Sequence, residues 1–218
     1  MNTAIKVLIS VLWLVFGSIH SAGQSVHSWN FQCARSINHV AYSKMTSNVY
    51  TARKGIELNA ICEKQLQSAF QLNTGFNLAC SLFERIESYS VDDSVFVFTD
   101  YTTAYFSCNI PIAIGYSFNN VVSASIGGFI GYNFYASQSG YEGISVSTAP
   151  SIGKEFSRRD PSLNPVGVGL TSSLKLRMNE RWHLAITYRH YLSNYYKTVT
   201  SMDSAQMRVT SFAIGRSF

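Results

Sequence analysis

Along most of this chain, apolar and small polar residues trade places at every second position. Between 70 and 82, Phe70, Leu72, Thr74, Phe76, Leu78, Cys80 and Leu82 alternate with Gln71, Asn73, Gly75, Asn77, Ala79 and Ser81. The same rhythm returns at 104–118, 122–135, 166–178, 182–189 and 211–218, with weaker versions at 29–38 and 55–66. A period of two is the signature of a β-strand with two unlike faces. The pattern predicts eight strands.

The chemistry of the two faces separates the architectures that eight strands can build. A soluble barrel of the lipocalin kind points its apolar face inward and carries charge outside. Here the second face is Ser, Gly, Asn, Thr and Ala, which covers a water-facing exterior poorly and fills a narrow lumen well. Large aliphatic residues with Tyr and Phe near the strand ends suit lipid and its two interfaces. The expectation is an all-β, eight-stranded, antiparallel, up-and-down transmembrane barrel over residues 24–218. A soluble lipocalin-like ligand-binding barrel is the competing architecture.

Connection lengths alternate as well. Segments 64–68, 119–120 and 179–180 are short, whereas 39–53, 84–99, 136–163 and 194–205 are long and read as external loops. Short periplasmic turns opposite long outer loops are characteristic of outer-membrane barrels. The last residue is Phe218, an aromatic end common to such chains.

Composition narrows the setting. Only 13% of residues are charged and 14% are aromatic, against about 25% charged in an average soluble domain. The 17 basic residues are scattered rather than clustered, so the positive balance does not point to nucleic acid. Residues 1–23 read as a cleaved signal peptide: a basic start with Lys6, an uncharged and mostly apolar run at 7–19, then Ser21-Ala22-Gly23. The run is shorter than the roughly 20 residues a helical span needs. Export to a bacterial outer membrane is the expected destination, with its lipid and other envelope proteins as expected partners.

The segment AYFSCNIPIAIGYSF at 104–118 is similar to a strand of a family of small bacterial barrels, in which an Ile-Pro step leads into an alternating strand. VVSASIGGFIGYNF, NPVGVGLTSSLKL, RWHLAITYRHYLSNYY and FAIGRSF follow in the order of that family's later strands. Residues 29–40 resemble its opening strand, with Ser36 where Gly is usual, and Arg216 stands where an apolar or aromatic residue is usual. The chain thus resembles the outer-membrane beta-barrel domain family of Bacteroidota, with its porin-like and PorT-like members. The resemblance implies an eight-stranded barrel, most members of the family having no established activity; a structural or interaction role without a cofactor is the expectation for this chain.

Three sets of residues carry candidate chemistry. Glu57, Glu63, Lys175, Arg177 and Arg189 share the inward face by parity. Charges in so narrow an interior must pair. Depth along the strands predicts Glu63 with Arg177 near the short turns, and Glu57 with Arg189 further out, as a plug rather than an open pore. Cys33, Cys62, Cys80 and Cys108 all fall on the apolar face and are expected to be unbridged; no spacing among them suits a metal. His190, Ser193 and Asp203 are the weak candidates for a lipid acyl-hydrolase site at the outer rim. His190 and Ser193 are three apart, so a regular strand turns them to opposite faces. Two loops, at 88–100 and around Ser157-Arg158-Arg159-Asp160, are further candidates for binding a partner.

Overall fold

The computed structural model describes residues 27–42, 49–51, 53–67, 69–92, 95–146, 149–159, 164–194 and 205–218. The expected signal peptide, residues 1–23, lies outside them. Ten antiparallel strands follow one another: β1 His27–Tyr42, β2 Val49–Thr51, β3 Arg53–Gln65, β4 Phe70–Asp92, β5 Val95–Ser117, β6 Val122–Val146, β7 Ala149–Arg159, β8 Val166–Arg177, β9 Trp182–Tyr191 and β10 Ala205–Ser217.

Eight of them close a ring in the order β1-β3-β4-β5-β6-β8-β9-β10. The first and last strands seal it, with Trp29 and Phe218 exchanging backbone hydrogen bonds of 3.2 and 2.8 Å. Closure leaves no unpaired edge around the ring, as a lipid-embedded sheet requires.

The chain is inside-out relative to a soluble protein. Ile126 is 71% exposed, while Asn77 in the interior is 2% exposed. An apolar belt of this extent on the outside cannot face water, which overturns the soluble lipocalin-like alternative.

The first described residue, His27, the last, Phe218, and the tight turns lie at one end of the ring. Two turns share one device: the Asn119 side chain accepts from the backbone N–H groups of Val121 and Val122, at 2.8 and 2.7 Å. Asn179 does the same for Arg181 and Trp182, at 2.9 and 2.8 Å. Asn favours turns because its carbonyl can replace a backbone acceptor in this way. Trp29, Phe31 and Phe218 form a connected aromatic cluster at this end, and Arg216 lies over the Phe218 ring at 4.8 Å. That stacking accounts for a cation so near the terminal strand's end.

At the other end the expected loops at 84–99 and 136–163 are corrected to strand over most of their length. β4 and β5 run 23 residues each and β6 runs 25, where a tilted span needs about 9–11. Their outer halves, flanked by β2 on β4 and β7 on β6, form a sheet standing beyond the ring. β6 changes partner on the way: it pairs β8 from Val122 to Tyr132 and β7 from Ser137 to Val146. Between the two lies a bulge at Phe134, where Phe106 faces Tyr135 and Ser107 faces Asn133. The extra residue reverses parity, so inward positions are odd before it (Ser123, Phe129) and even after it (Ala136, Gln138).

Candidate functional site

The interior is built from short polar side chains on alternate positions, and two ion pairs cross it. Glu57 on β3 meets Arg189 on β9, both buried. Ser211 bridges the pair, donating to the Glu57 Oε1 at 3.0 Å and accepting from the Arg189 Nη2 at 3.2 Å. Asn77 donates to the other carboxylate oxygen at 3.1 Å. A buried carboxylate is tolerable only when its lone pairs are taken up in this way.

The second pair differs from the expectation. Glu63 is held by Lys175, whose ammonium contacts both carboxylate oxygens. Arg177 is corrected out of the lumen: it is the last residue of β8, exposed at the turn end. β3 and β8 lie opposite each other in the ring, so the contact spans the full diameter. Lys175, two residues further in, points its flexible stem across the lumen at the height of Glu63, whereas Arg177 has already reached water.

A chain of hydrogen bonds runs along the lumen and meets the Glu57–Arg189 pair at Asn77. The Tyr191 hydroxyl donates to the Asn109 Oδ1 at 3.3 Å, and the Asn109 amide donates to the Asn77 Oδ1 at 2.8 Å. Asn77 donates to Asn59, and Asn59 to the Gln32 Oε1 at 3.3 Å. Gln32 then meets the His183 Nε2 at 3.1 Å. An amide nitrogen is donor only, so the His183 Nε2 accepts and its proton sits on Nδ1, 3.4 Å from the Ser217 hydroxyl. Two glycines make room for this line. A Cβ on Gly131 would lie 2.1 Å from the Asn109 Oδ1, and one on Gly215 would lie 2.4 Å from the His183 Nε2.

Beside the ladder is a cavity of about 80 Å³, lined among others by Glu63, Lys175, Asn73, Asn109 and Arg189. It lies between the ion pairs. Further out the lumen is filled by Tyr105, whose hydroxyl donates to the Met207 Sδ at 2.9 Å, and by Phe129 edge-on to Tyr191 at 4.7 Å.

The other sequence candidates separate. Cys33, Cys62, Cys80 and Cys108 are free. The nearest approach in register is the diagonal between Cys80 and Cys108, opposite Phe106 and Leu78 respectively, and diagonals span about 7–8 Å. His190 lies on the outer face, while the Ser193 hydroxyl accepts from the Val168 N–H at 3.2 Å; no hydrogen bond joins the two. Asp203 lies outside the described residues. Among the described residues, no cluster of side chains suits a metal ion.

The sheet beyond the ring is held by aromatics over glycines. Tyr101 and Phe156 meet at 6.2 Å across Gly140, and Phe98 stacks on Tyr141 at 5.9 Å beside Gly143 and Gly153. From the patch around 157–160, Arg158 stacks over Phe156 at 4.7 Å and donates to the Gln138 Oε1 at 3.4 Å.

Known proteins are similar to this chain at low identity. No curated protein matches the sequence. Solved structures similar to it include the attachment invasion locus protein Ail of Yersinia pestis, at 11% identity and TM-score 0.45, covering 88% of this chain and 99% of that one. Neisserial surface protein A is similar at 12% identity and TM-score 0.47, with 87% and 97% covered. OprG of Pseudomonas aeruginosa is similar at 8% identity and TM-score 0.40, with 88% and 95% covered. The pattern of the family described as outer membrane protein beta-barrel domain matches residues 20–197. A closed ring with an apolar outer belt and this match over most of its length make the chain a member of that family, an integral β-barrel of the Gram-negative outer membrane.

Proposed function

We propose that this barrel is a plugged, porin-like structural or interaction protein rather than a channel. The observation that carries the reading is the occupied lumen, crossed by Glu57–Arg189 and Glu63–Lys175 with the amide ladder between them. A ring of eight strands has an interior just wide enough for side chains to fill, and here two ion pairs and a line of side-chain amides occupy it. What faces outward for partners is the sheet beyond the ring, where Tyr141 and residues 152–155 and 157–159 of β7 are exposed. Other envelope proteins are its proposed partners there.

A lipid-hydrolysing role at the rim draws less support, because the Ser193 hydroxyl is engaged by the β8 backbone and a nucleophile needs its base within about 3 Å. The deciding experiment pairs planar-bilayer conductance with affinity purification in mild detergent. Small, intermittent currents and specific co-purifying envelope proteins, lost when residues 84–103 and 137–159 are shortened to tight turns, are expected. Large steady currents from the pure native protein would overturn the plug.

A further inference from the structure

The outer surface of the ring is not uniform around its circumference. On the β5–β6 side, the outward residues near the upper edge of the apolar belt are aromatic: Phe106, Phe134 and Tyr135. On the opposite side they are basic. His39, Arg208 and His190 stand directly opposite one another in register on β1, β10 and β9. Lys54 on β3 and Arg35 on β1 flank this row, and both are exposed. None of the five forms an ion pair among the described residues, and no Asp or Glu occupies an outward position on these four strands.

Height places the row at a lipid headgroup. His190 is eight residues above Trp182, and Arg208 is ten above Phe218. At about 3.3 Å per residue and a tilt near 40°, that is about 20–25 Å above the turn-end aromatic ring. The apolar band of such barrels is about 25 Å tall, so the row lies at its outer edge. Arg35 starts lower, and its long stem lets the guanidinium rise to the same level.

Below the row the wall is concave. Ala34, Ala213 and Ala185 lie side by side in register on the inner face, and such small side chains let the sheet sag toward the lumen. The outer face of these strands, extending onto β4 at Cys80 and β8 at Leu174, carries an apolar concavity of about 1060 Å³, lined by Cys33, Ile56, Ile186, Phe212 and Ile214, with Arg35 and Lys54 also on its wall.

We infer that the outer face of β9, β10, β1 and β3 is a binding site for a phosphorylated, multiply acylated glycolipid of the outer leaflet. Its acyl chains lie in the apolar concavity and its phosphates meet the basic row. Arg and Lys hold phosphate oxygens through charge-assisted hydrogen bonds. Neighbouring strands lie about 4.8 Å apart, so basic groups spread over four strands cover about 15 Å. That width fits a headgroup with two separated phosphates better than the single phosphodiester of a glycerophospholipid.

The test uses the full-length mature protein in detergent, with native mass spectrometry reading retained lipid. Bisphosphorylated lipid A should be retained, and phosphatidylglycerol and fully dephosphorylated lipid A should be retained about tenfold less or weaker, as the loss of charged hydrogen bonds predicts. Arg208→Ser combined with Lys54→Ser should lower lipid A retention by a similar factor, with an unchanged heat-modifiable gel shift reporting the folded barrel. Equal retention by the folded double variant overturns the site, and equal retention of phosphatidylglycerol overturns the assignment to a glycolipid. Should the double variant not fold, the native protein decides alone: equal retention of lipid A with and without its phosphates overturns the inference.

Discussion

Lys175 holds Glu63 across the whole width of the barrel, its ammonium in contact with both carboxylate oxygens. The two residues belong to strands on opposite sides of the ring, so the pair ties the cylinder across its diameter near the turn end. Removing one partner of a buried pair costs about 3–5 kcal/mol, because the other charge stays buried and uncompensated. Glu63→Gln should therefore lower the urea midpoint of unfolding in lipid vesicles. Adding Lys175→Met should restore much of the loss, and adding Arg177→Met should restore none. Equal rescue by both would show that Lys175 is not the partner.

Asn77 ties the ladder to the outer pair, since it donates to both Glu57 and Asn59 and accepts from Asn109. Asn77→Ala strands three polar groups at once in a site 2% exposed. Each unsatisfied group costs about 1–3 kcal/mol, so the loss should exceed that of Asn179→Ala at an exposed turn. Unfolding midpoints of the two variants check the ranking.

Gly215 is required by its neighbours and not by its own backbone. A Cβ there would fall 2.4 Å from the His183 Nε2 and 2.7 Å from the Gln32 Cγ. Gly215→Val should cost about 1–3 kcal/mol through overpacking, and His183→Ala in the same chain should relieve part of it. A double-mutant cycle with purely additive terms would contradict the contact.

Ile112 lies on the lipid face and is 55% exposed. Arg at that position costs about 2–4 kcal/mol near the bilayer midplane, so Ile112→Arg should deplete the heat-modifiable folded form in outer-membrane fractions. Ala113→Ser on the lumen side should leave it abundant.

The four cysteines carry free thiols. Denaturation without reductant should expose all of them to a thiol reagent, which a mass shift per alkyl group counts. A count of zero would require strands paired in another register.

Much of this barrel is legible from alternation alone, because a sheet with lipid on one side and a packed lumen on the other must change chemistry at every residue. The inward placement of Glu57, Asn77 and Arg189 follows directly. What alternation cannot encode is height across the lumen, which depends on strand stagger around the ring; Lys175 and Arg177 share a parity, and only one of them is level with Glu63. The extra residue at Phe134 breaks the period at the point where β6 leaves β8 for β7, so the strand beyond it reads as loop. The basic row was equally hidden, since His39 and Arg208 become neighbours only when the first strand meets the last.

The ladder from Tyr191 to His183 has one more consequence, for energy conservation in the envelope. A continuous hydrogen-bonded line through a membrane protein invites comparison with a proton wire, in which each member passes on one proton while taking another. Side-chain amides do not do this: their nitrogen only donates and their oxygen only accepts, and neither titrates near neutrality. A proton taken up by His183 would therefore stop at Gln32, and four consecutive amides stand between it and Tyr191. These amides cannot relay a proton along the line.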